Sequence, residues 1–158
     1  MRMRTICLCC LLLLPLTAAT GADCLESTAA LESMEQRSVR FLGGGSEALE
    51  LIVRVAETSR QRAAGMQHLC ERSVRDNPML FRFQQPVQHA FHMQNVQVPL
   101  DIFFLDESGM ILSRQRMVPG EGLYRPDHSF RYALELLAGE AERLGLEEGM
   151  QLRPRSAD

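Results

Sequence analysis

The sequence predicts a mainly β, single-domain protein: a β-sandwich that is jelly-roll-like or closes into a partly open barrel. Three observations support this fold class. The chain has 158 residues, a length that suits one ordinary domain. Its 46% hydrophobic and 23% charged residues are typical of a globular protein rather than a disordered one. Short apolar segments of strand length alternate with turn signals, with about two or three short helices among them.

The first 22 residues have the order of a secretory signal peptide. Arg2 and Arg4 form a basic start, an apolar stretch covers 6–16, and small residues follow up to Ala22. We therefore predict cleavage before Asp23 and export of a soluble protein to the periplasm or the exterior. A lipid-anchored form is the alternative because a cysteine lies just beyond, but Asp23 stands where a lipidated cysteine needs a small neighbour.

The cysteines predict a disulfide bond. Cys7, Cys9 and Cys10 lie in the signal peptide, so the mature chain keeps only Cys24 and Cys70. In an oxidising compartment such a pair is a candidate disulfide, which would join the N-terminal arm to the body of the domain. The alternatives are two free thiols, or a bond from Cys24 to another chain.

Composition divides the mature chain into an arm, a domain and a tail. Residues 23–46 are predicted to be an N-terminal arm, with a short helix between Glu26 and Arg37 and a Gly-rich linker at its end. Residues 47–154 are predicted to be the β-rich domain, and 155–158 a tail.

The domain begins with a strand and a helix. Apolar residues alternate with other residues over 49–56, which is the period of a half-buried strand. Thr58 and Gln61 have the spacing of a capping box, so a helix of about two turns should follow and end at Gly65.

The remaining strands are short. The almost continuously apolar run over 101–106 predicts a central strand covered on both faces, and Gly109 suits the tight hairpin to its partner. Residues 119–128 are expected to be a long loop, and a short helix is expected over 139–144. Further strands are predicted at 79–83, 90–93, 110–118, 130–137 and 151–153.

A set of short motifs lies in a characteristic order along residues 51–152. They are Val55-Ala56-Glu57-Thr58 with Arg62 and Gly65-Met66; Met79-Leu80-Phe81; Phe91-His92-Met93-Gln94-Asn95; Pro99-Leu100-Asp101-Ile102; Asp106-x-x-Gly109; and Arg131-Tyr132-Ala133-Leu134-Glu135 with Ala138-Gly139. Together they resemble the bacterial and archaeal family called domain of unknown function 192. The resemblance implies a small β-sandwich of jelly-roll type, often exported, with no established activity.

The chain departs from the family pattern at two places. Where the family usually has Phe-Trp-Met-Lys-Asn-Thr, this chain has the residues Phe91 to Val96, with His92 in place of Trp and Gln94 in place of Lys. The usual closing Gly-Asp is Gly149-Met150 here. A ligand that depends on that Trp, Lys or Asp would bind this member with altered affinity or not at all.

Charge argues against one class of partner. Seventeen basic residues, all arginine, and 20 acidic ones give a net charge of −3, so there is no electrostatic case for binding nucleic acid. No apolar run reaches the roughly 18 residues that span a bilayer, so no membrane contact is expected after signal cleavage. No cofactor is predicted, and the expected partner is a small ligand or a protein.

Histidine and methionine form two short clusters with copper-ligating chemistry. They are His89, His92 and Met93, and Met66 with His68. On a strand, His89 and His92 are three residues apart and point to opposite faces, and His92 and Met93 also diverge. Core packing is therefore the preferred interpretation of the methionines, and no metal site is predicted.

A polar cluster is the main candidate site. Asn95 and Asp101 flank the apolar loop that follows Met93, and a carboxylate in that setting needs hydrogen-bond donors. Arg62 and Arg131 are the candidate donors. The cluster either ties loop amides together or lines the mouth of a pocket for a small ligand.

Catalysis has little support in the sequence. No serine lies in a G-x-S-x-G turn, and Asp101 and Asp106 fall on opposite faces of one strand. The preferred function is a non-catalytic binding or accessory module. The first alternative is a hydrolase or transferase that uses Asp101 with a nearby histidine, and the second is a periplasmic copper-handling protein.

Overall fold

A seven-stranded sheet curls into most of a barrel in the computed structural model, which describes residues 24–43 and 48–154. A second sheet of two strands lies beside it. The elements in the described ranges are, in chain order, α1 (Ala29–Glu32), β1 (Glu35–Leu42), β2 (Leu49–Ala56), α2 (Ser59–Ala64), α3 (Glu71–Asp76), β3 (Met79–Val87), β4 (Phe91–Met93), β5 (Leu100–Leu105), β6 (Ile111–Met117), β7 (Gly120–Tyr124), β8 (Phe130–Leu137), α4 (Glu140–Leu144) and β9 (Gln151–Pro154).

The large sheet has the strand order β6-β5-β8-β3-β2-β1-β9. β2 and β3 pair in parallel, and the other neighbours are antiparallel. The two edges meet next to β6 and β9: Ile111 N–H donates to the carbonyl of Met150 at 2.9 Å, and Leu152 N–H donates to that of Gly109 at 2.8 Å. These bonds make the sheet a partly open barrel, which confirms the predicted fold class.

The sheet carries a hydrophobic core on each face. All seven strands contribute to one core, with residues such as Phe41, Val53 and Phe103, so this core fills the concave face of the curl. The second core lies on the convex face of β3, β5 and β8, where Phe81 and Phe104 pack beneath α1, α3 and β4. A strand such as β5 is therefore buried at every position, as predicted.

Most predicted elements are present, and three differ. The predicted helix over 26–37 is limited to α1, and β1 occupies part of the predicted arm. Only Val39 and Phe41 of β1 are buried, so its alternation is weak in the sequence. β7 lies in the predicted loop over 119–128 and is almost entirely exposed, because it pairs only with β4. The short helix α3 has no predicted counterpart.

A disulfide bond joins Cys24 to Cys70, whose Cα atoms are 4.8 Å apart, and it confirms the predicted pairing. Leu25 N–H donates to the carbonyl of His68 at 2.8 Å, and Cys70 N–H donates to that of Leu25 at 2.9 Å. The segment before α1 is thus tied to the residues before α3. Such a bond is typical of proteins that fold in an oxidising compartment.

Three predictions concern residues outside the described part of the chain: the signal peptide at 1–22 with its cleavage site, most of the Gly-rich linker, and the tail at 155–158. Among the described helices, none is long and apolar enough to cross a membrane.

Reduction of the Cys24–Cys70 bond should lower the free energy of unfolding by up to about 4 kcal/mol, because the bond closes a loop of 46 residues in the unfolded chain. Chemical denaturation with and without a reductant measures this. The Cys24→Ser/Cys70→Ser double variant is the control and should not respond to the reductant. Equal wild-type stability in both conditions would contradict the prediction.

Candidate functional site

A cavity of about 330 Å³ opens between α2, β3 and β4. The rings of Phe81, Phe83 and Phe91 form its apolar wall. Phe81 and Phe91 meet edge to face, with ring centroids 5.1 Å apart, so the wall is packed from two separate strands. Small ligands bind in clefts of this kind, where an apolar surface surrounds a few polar groups.

Local sequence fixes the helical side of the cavity. The Thr58 hydroxyl accepts a hydrogen bond from the N–H of Gln61, and the Gln61 side chain accepts from that of Thr58, which forms the predicted capping box. The helix ends at Gly65, whose φ of 48° is one that residues with a Cβ rarely adopt. This sharp end brings Met66 against the cavity.

Glu135 lies at the inner end of the cavity. It is only 4% exposed, whereas His89 and His92 at the mouth are exposed. Its neighbours across the sheet are Met79 of β3 and Ile102 of β5, both fully buried and apolar. No hydrogen bond or ion pair reaches the Glu135 carboxyl from the described residues, so its oxygens are satisfied only by what enters the cavity.

Burial raises the pKa of Glu135 to about 8, because the apolar surroundings disfavour the charged form. The carboxyl is therefore mostly protonated at neutral pH. It can then donate one hydrogen bond and accept others. A buried carboxyl that faces a cavity and has a strongly shifted pKa is a candidate for a functional site.

Glu135 was not among the predicted site residues. A single acid in an apolar strand is easily assigned to the solvent side, because Tyr132, Leu134 and Leu136 alternate with it on the other face of the strand. A signal was available: Ala133 and Leu137 share the face of Glu135, and both are apolar. That face is covered by the convex core.

Four of the other candidate residues do line the cavity: Arg62, Met66, His89 and His92. The prediction that the two histidines point to opposite faces is wrong. β4 begins only at Phe91, so His89 lies in the preceding loop and strand alternation does not apply to it.

Met93 and His68 lie elsewhere. Met93 is 1% exposed and belongs to the convex core, and His68 is exposed with a φ of 63°. In residues 24–43 and 48–154, no group of three or more His, Cys, Asp or Glu side chains is arranged to hold a metal ion.

Asn95 supports the cavity wall instead of joining Asp101. Its side-chain amide donates to the Gln67 side chain at 3.0 Å, and its carbonyl accepts from His68 N–H at 2.8 Å. Gln67 lines the cavity. Asn95 adopts a left-handed φ of 59°, which asparagine tolerates better than most residues. The predicted cluster of Asn95 with Asp101 is therefore not formed.

Asp101 lies on the concave face, fully buried, at the centre of an ionic cluster. The Arg116 guanidinium binds it with two hydrogen bonds of 2.7 and 3.0 Å, and that of Arg114 adds one of 2.9 Å. Gly139 N–H donates to it at 3.0 Å, and Glu142 of α4 bridges the same two arginines. The cluster joins β5, β6 and the start of α4.

The hydrogen-bond donors of Asp101 differ from the predicted donors, Arg62 and Arg131. Arg62 stacks over the Phe83 ring at 4.9 Å, and its side chain donates to the carbonyls of Glu57 and Arg82. Arg131 pairs with Glu107 at 3.9 Å. Arg114 and Arg116 were missed because they alternate with Ser113 and Gln115 in a strand that looked like an ordinary exposed partner.

The contacts of Asp101 within the ionic cluster do not suit a catalytic residue. Burial raises the pKa of Asp101, but the hydrogen bonds from Arg116, Gly139 and Arg114 outweigh it and hold the pKa below its usual value. A carboxylate that is ionised, saturated with donors and closed to solvent cannot reach a substrate. The structure thus gives Asp101 a scaffold role and offers no support for a hydrolase or transferase that works through it.

Comparison with known protein families assigns the chain to one family. The model of the domain of unknown function 192 family, described as an uncharacterized ACR, matches residues 42–154. The chain belongs to this family. No curated protein matches it.

Two crystal structures are similar to the chain. One, from Sinorhizobium meliloti 1021 and provisionally described as a transcription regulator, has a TM-score of 0.71 and 29% identity, and covers 77% of this chain and 95% of its own. The other is a protein of unknown function from Novosphingobium aromaticivorans DSM 12444. Its TM-score is 0.67 and its identity 23%, over 86% and 98% of the two chains, which shows a shared fold.

The motifs of the domain of unknown function 192 family meet at the cavity. Met66, Phe81, His92 and Glu135 come from four different motif segments, and all four line it. Two of the departures from the family pattern noted in the sequence, His92 and Val96, line the cavity, whereas Gln94 and Met150 do not.

Replacement of Asp101 should destabilise the protein. Asp101→Ala leaves two arginines and an amide without their acceptor, and we expect a loss of about 3 kcal/mol. Asp101→Asn keeps the shape and should lose less. Because the folded pKa is lowered, the carboxylate contribution is present above the unfolded value of 3.8 and is lost as pH falls through the folded value. Urea denaturation at neutral and acid pH measures both effects; a neutral or stabilising Asp101→Ala would contradict the scaffold role.

Glu135 should contribute the opposite pH dependence, and Glu135→Gln should remove it. Because burial raises the folded pKa from 4.5 to about 8, the contribution of Glu135 to wild-type stability is fully present below pH 4.5 and is lost as pH rises to about 8. The amide does not ionise, so the variant should gain about 2 to 5 kcal/mol over wild type between these limits. Denaturation of both proteins at a series of pH values tests this. Parallel pH profiles would show that Glu135 ionises normally.

Proposed function

We propose that this protein is an exported, non-catalytic binding module whose cavity takes a small ligand between α2, β3 and β4. The observation that carries the proposal is Glu135: a carboxyl that is 4% exposed, has no hydrogen-bond partner among the described residues, and faces a cavity of about 330 Å³. A ligand that supplies a hydrogen-bond partner to this carboxyl would form the contact in apolar surroundings, where hydrogen bonds are stronger than in water.

The rest of the cavity suits binding. Three phenylalanine rings supply apolar contact area, and Arg62, Gln67 and the two histidines supply a few polar groups that can orient a ligand. Four family motifs contribute to this one place.

Binding is favoured over catalysis because the cavity lacks a built nucleophile. Ser59 is the hydroxyl-bearing side chain on its wall, and it is exposed and contacts Arg62 at 3.5 Å. Among the described hydrogen bonds, none joins Ser59 to His89 or His92. An activated nucleophile requires a base in such contact.

Export is supported by two independent features. The order of residues 1–22 is that of a signal peptide, and the Cys24–Cys70 bond forms most readily in an oxidising compartment. The regulator description of the Sinorhizobium meliloti relative does not alter the proposal. A net charge of −3 gives no electrostatic support for contact with DNA.

A fragment panel with nuclear magnetic resonance tests the binding function. The panel contains small amines, carboxylates, alcohols and aromatic compounds, and it is added to the isotope-labelled, disulfide-bonded protein. We expect amide shift changes that concentrate in α2, β4 and β8 around Glu135. Ala64→Trp, which fills the cavity from its helical wall, should abolish them, whereas Asp101→Asn on the other face should retain them.

The proposed function fails if no member of the panel shifts the cavity amides. It also fails if the shifts remain in Ala64→Trp, because binding would then lie elsewhere on the surface. A circular dichroism spectrum of each variant confirms that the fold is kept.

A further inference from the structure

Two ionisable side chains without a charged partner among the described residues, one basic and one acidic, face the same cavity. Arg62 is half-buried on its wall, and no carboxylate of the described residues lies within ion-pair distance of its guanidinium. Glu135 lies at the inner end, and no cation of the described residues pairs with it. We infer that the ligand is a small zwitterion, with its ammonium group at Glu135 and its carboxylate at Arg62. This inference rests on the proposed binding function and names the chemical class of the ligand.

Arg62 is placed to receive an anion. Its side chain is held by the carbonyls of Glu57 and Arg82 and by the Ser59 hydroxyl, and it stacks on the Phe83 ring. These contacts fix the planar guanidinium but neutralise none of its charge. A preorganised guanidinium binds a carboxylate through charge-assisted hydrogen bonds. The neighbouring Arg82, by contrast, pairs with Glu57 at 2.9 Å.

Glu135 and the aromatic wall are placed to receive an ammonium group. Phe81 and Phe91 line the same cavity as the Glu135 carboxyl, and the faces of aromatic rings attract cations. A carboxylate in apolar surroundings gains strongly from a cation that replaces its lost hydration. The carbon chain of the ligand would lie along the rings, between the two charged ends.

Protonation gives this inference a specific signature. At neutral pH the Glu135 carboxyl holds its proton, and an ammonium group binds to the ionised form, so binding releases that proton to solvent. Affinity should therefore rise by up to about tenfold per pH unit until about pH 8 and then level off. A ligand that accepts a hydrogen bond from the neutral carboxyl would show the reverse trend.

Other charged groups near Glu135 do not produce the same signature. Arg62, His89 and His92 line the cavity. The helix α3 also packs against β8, and its exposed charges pair within the helix and, through Arg75, with Glu140. Arg131 shares the face of Glu135 on β8 and pairs with Glu107. Asp101 of β5 points to the opposite face. The two imidazoles are the remaining groups to control, through the His89→Gln/His92→Gln variant.

Calorimetric titration with a matched probe set tests the inference. The probes are the ω-amino acids from 4-aminobutanoate to 8-aminooctanoate, then, at the chain length that binds best, the corresponding amine, carboxylate and alcohol. We expect the zwitterion to bind at least about tenfold more tightly than each of the other three, because each loses at least one charge-assisted contact.

The variants assign each end of the ligand. Glu135→Gln should weaken the zwitterion and the amine at least about tenfold, change the carboxylate little, and remove the pH dependence. Arg62→Gln should weaken the zwitterion and the carboxylate but not the amine. Arg60→Gln, on the exposed side of the same helix, is the matched control and should change nothing. The double histidine variant should keep the rise in affinity towards pH 8.

Three outcomes would overturn the inference. An alcohol that binds as tightly as the zwitterion, and is lost in Ala64→Trp, would keep the binding function but show that charge does not select the ligand. An affinity that falls as pH rises would show that Glu135 acts as a neutral donor. Failure of every probe, while fragments of the panel still shift the cavity amides, would exclude a zwitterion and leave the binding function intact.

Discussion

Glu135 is a buried carboxyl without a hydrogen-bond partner among the described residues, and the interpretation of the cavity on the convex face depends on it. The carboxyl lies between Met79 and Ile102 in the sheet and beside aromatic rings, where a negative charge would be poorly solvated. It remains protonated and open to a cavity, and its oxygens find no partner among the described residues. The capping box of α2 and the pairing of β4 with β7 hold the walls of that cavity in place.

Asp101, on the opposite face of the sheet, is also a buried carboxyl, but its burial is compensated by hydrogen-bond donors. Both carboxyls lie on paired central strands of the sheet, and both are buried. Asp101 has two arginines and a backbone amide as donors, so it is ionised and fixes β5 to β6 and α4. Glu135 has none and is neutral. One carboxyl stabilises the scaffold, and the other is kept free at some cost in stability, as is common at sites that bind ligands.

The fold followed from the sequence more readily than the site did. The apolar run over 101–106 and the capping box of Thr58 depend on local patterns, and the structure contains both. β1 escaped prediction because only Val39 and Phe41 of it are buried, and β7 because it is almost entirely exposed and pairs with β4. Asp101 was recognised as a carboxylate that needs donors, but its arginines lie across a strand pair, and no local pattern identifies them. Glu135 was not predicted because its burial depends on the elements that pack on the convex face of β8, and no local pattern identifies them.

Residues from four motif segments line the cavity around one neutral acid. The proposed function therefore depends on the protonation state of Glu135. The most direct measurement is a titration of the Glu135 side-chain carboxyl by carbon-13 nuclear magnetic resonance, in the disulfide-bonded protein, with Glu135→Gln to assign the signal. We expect a midpoint near pH 8, well above the ordinary value of 4.5. A midpoint near 4.5 would show that Glu135 is a solvated, ordinary carboxylate and would contradict its assignment as a neutral acid in the cavity.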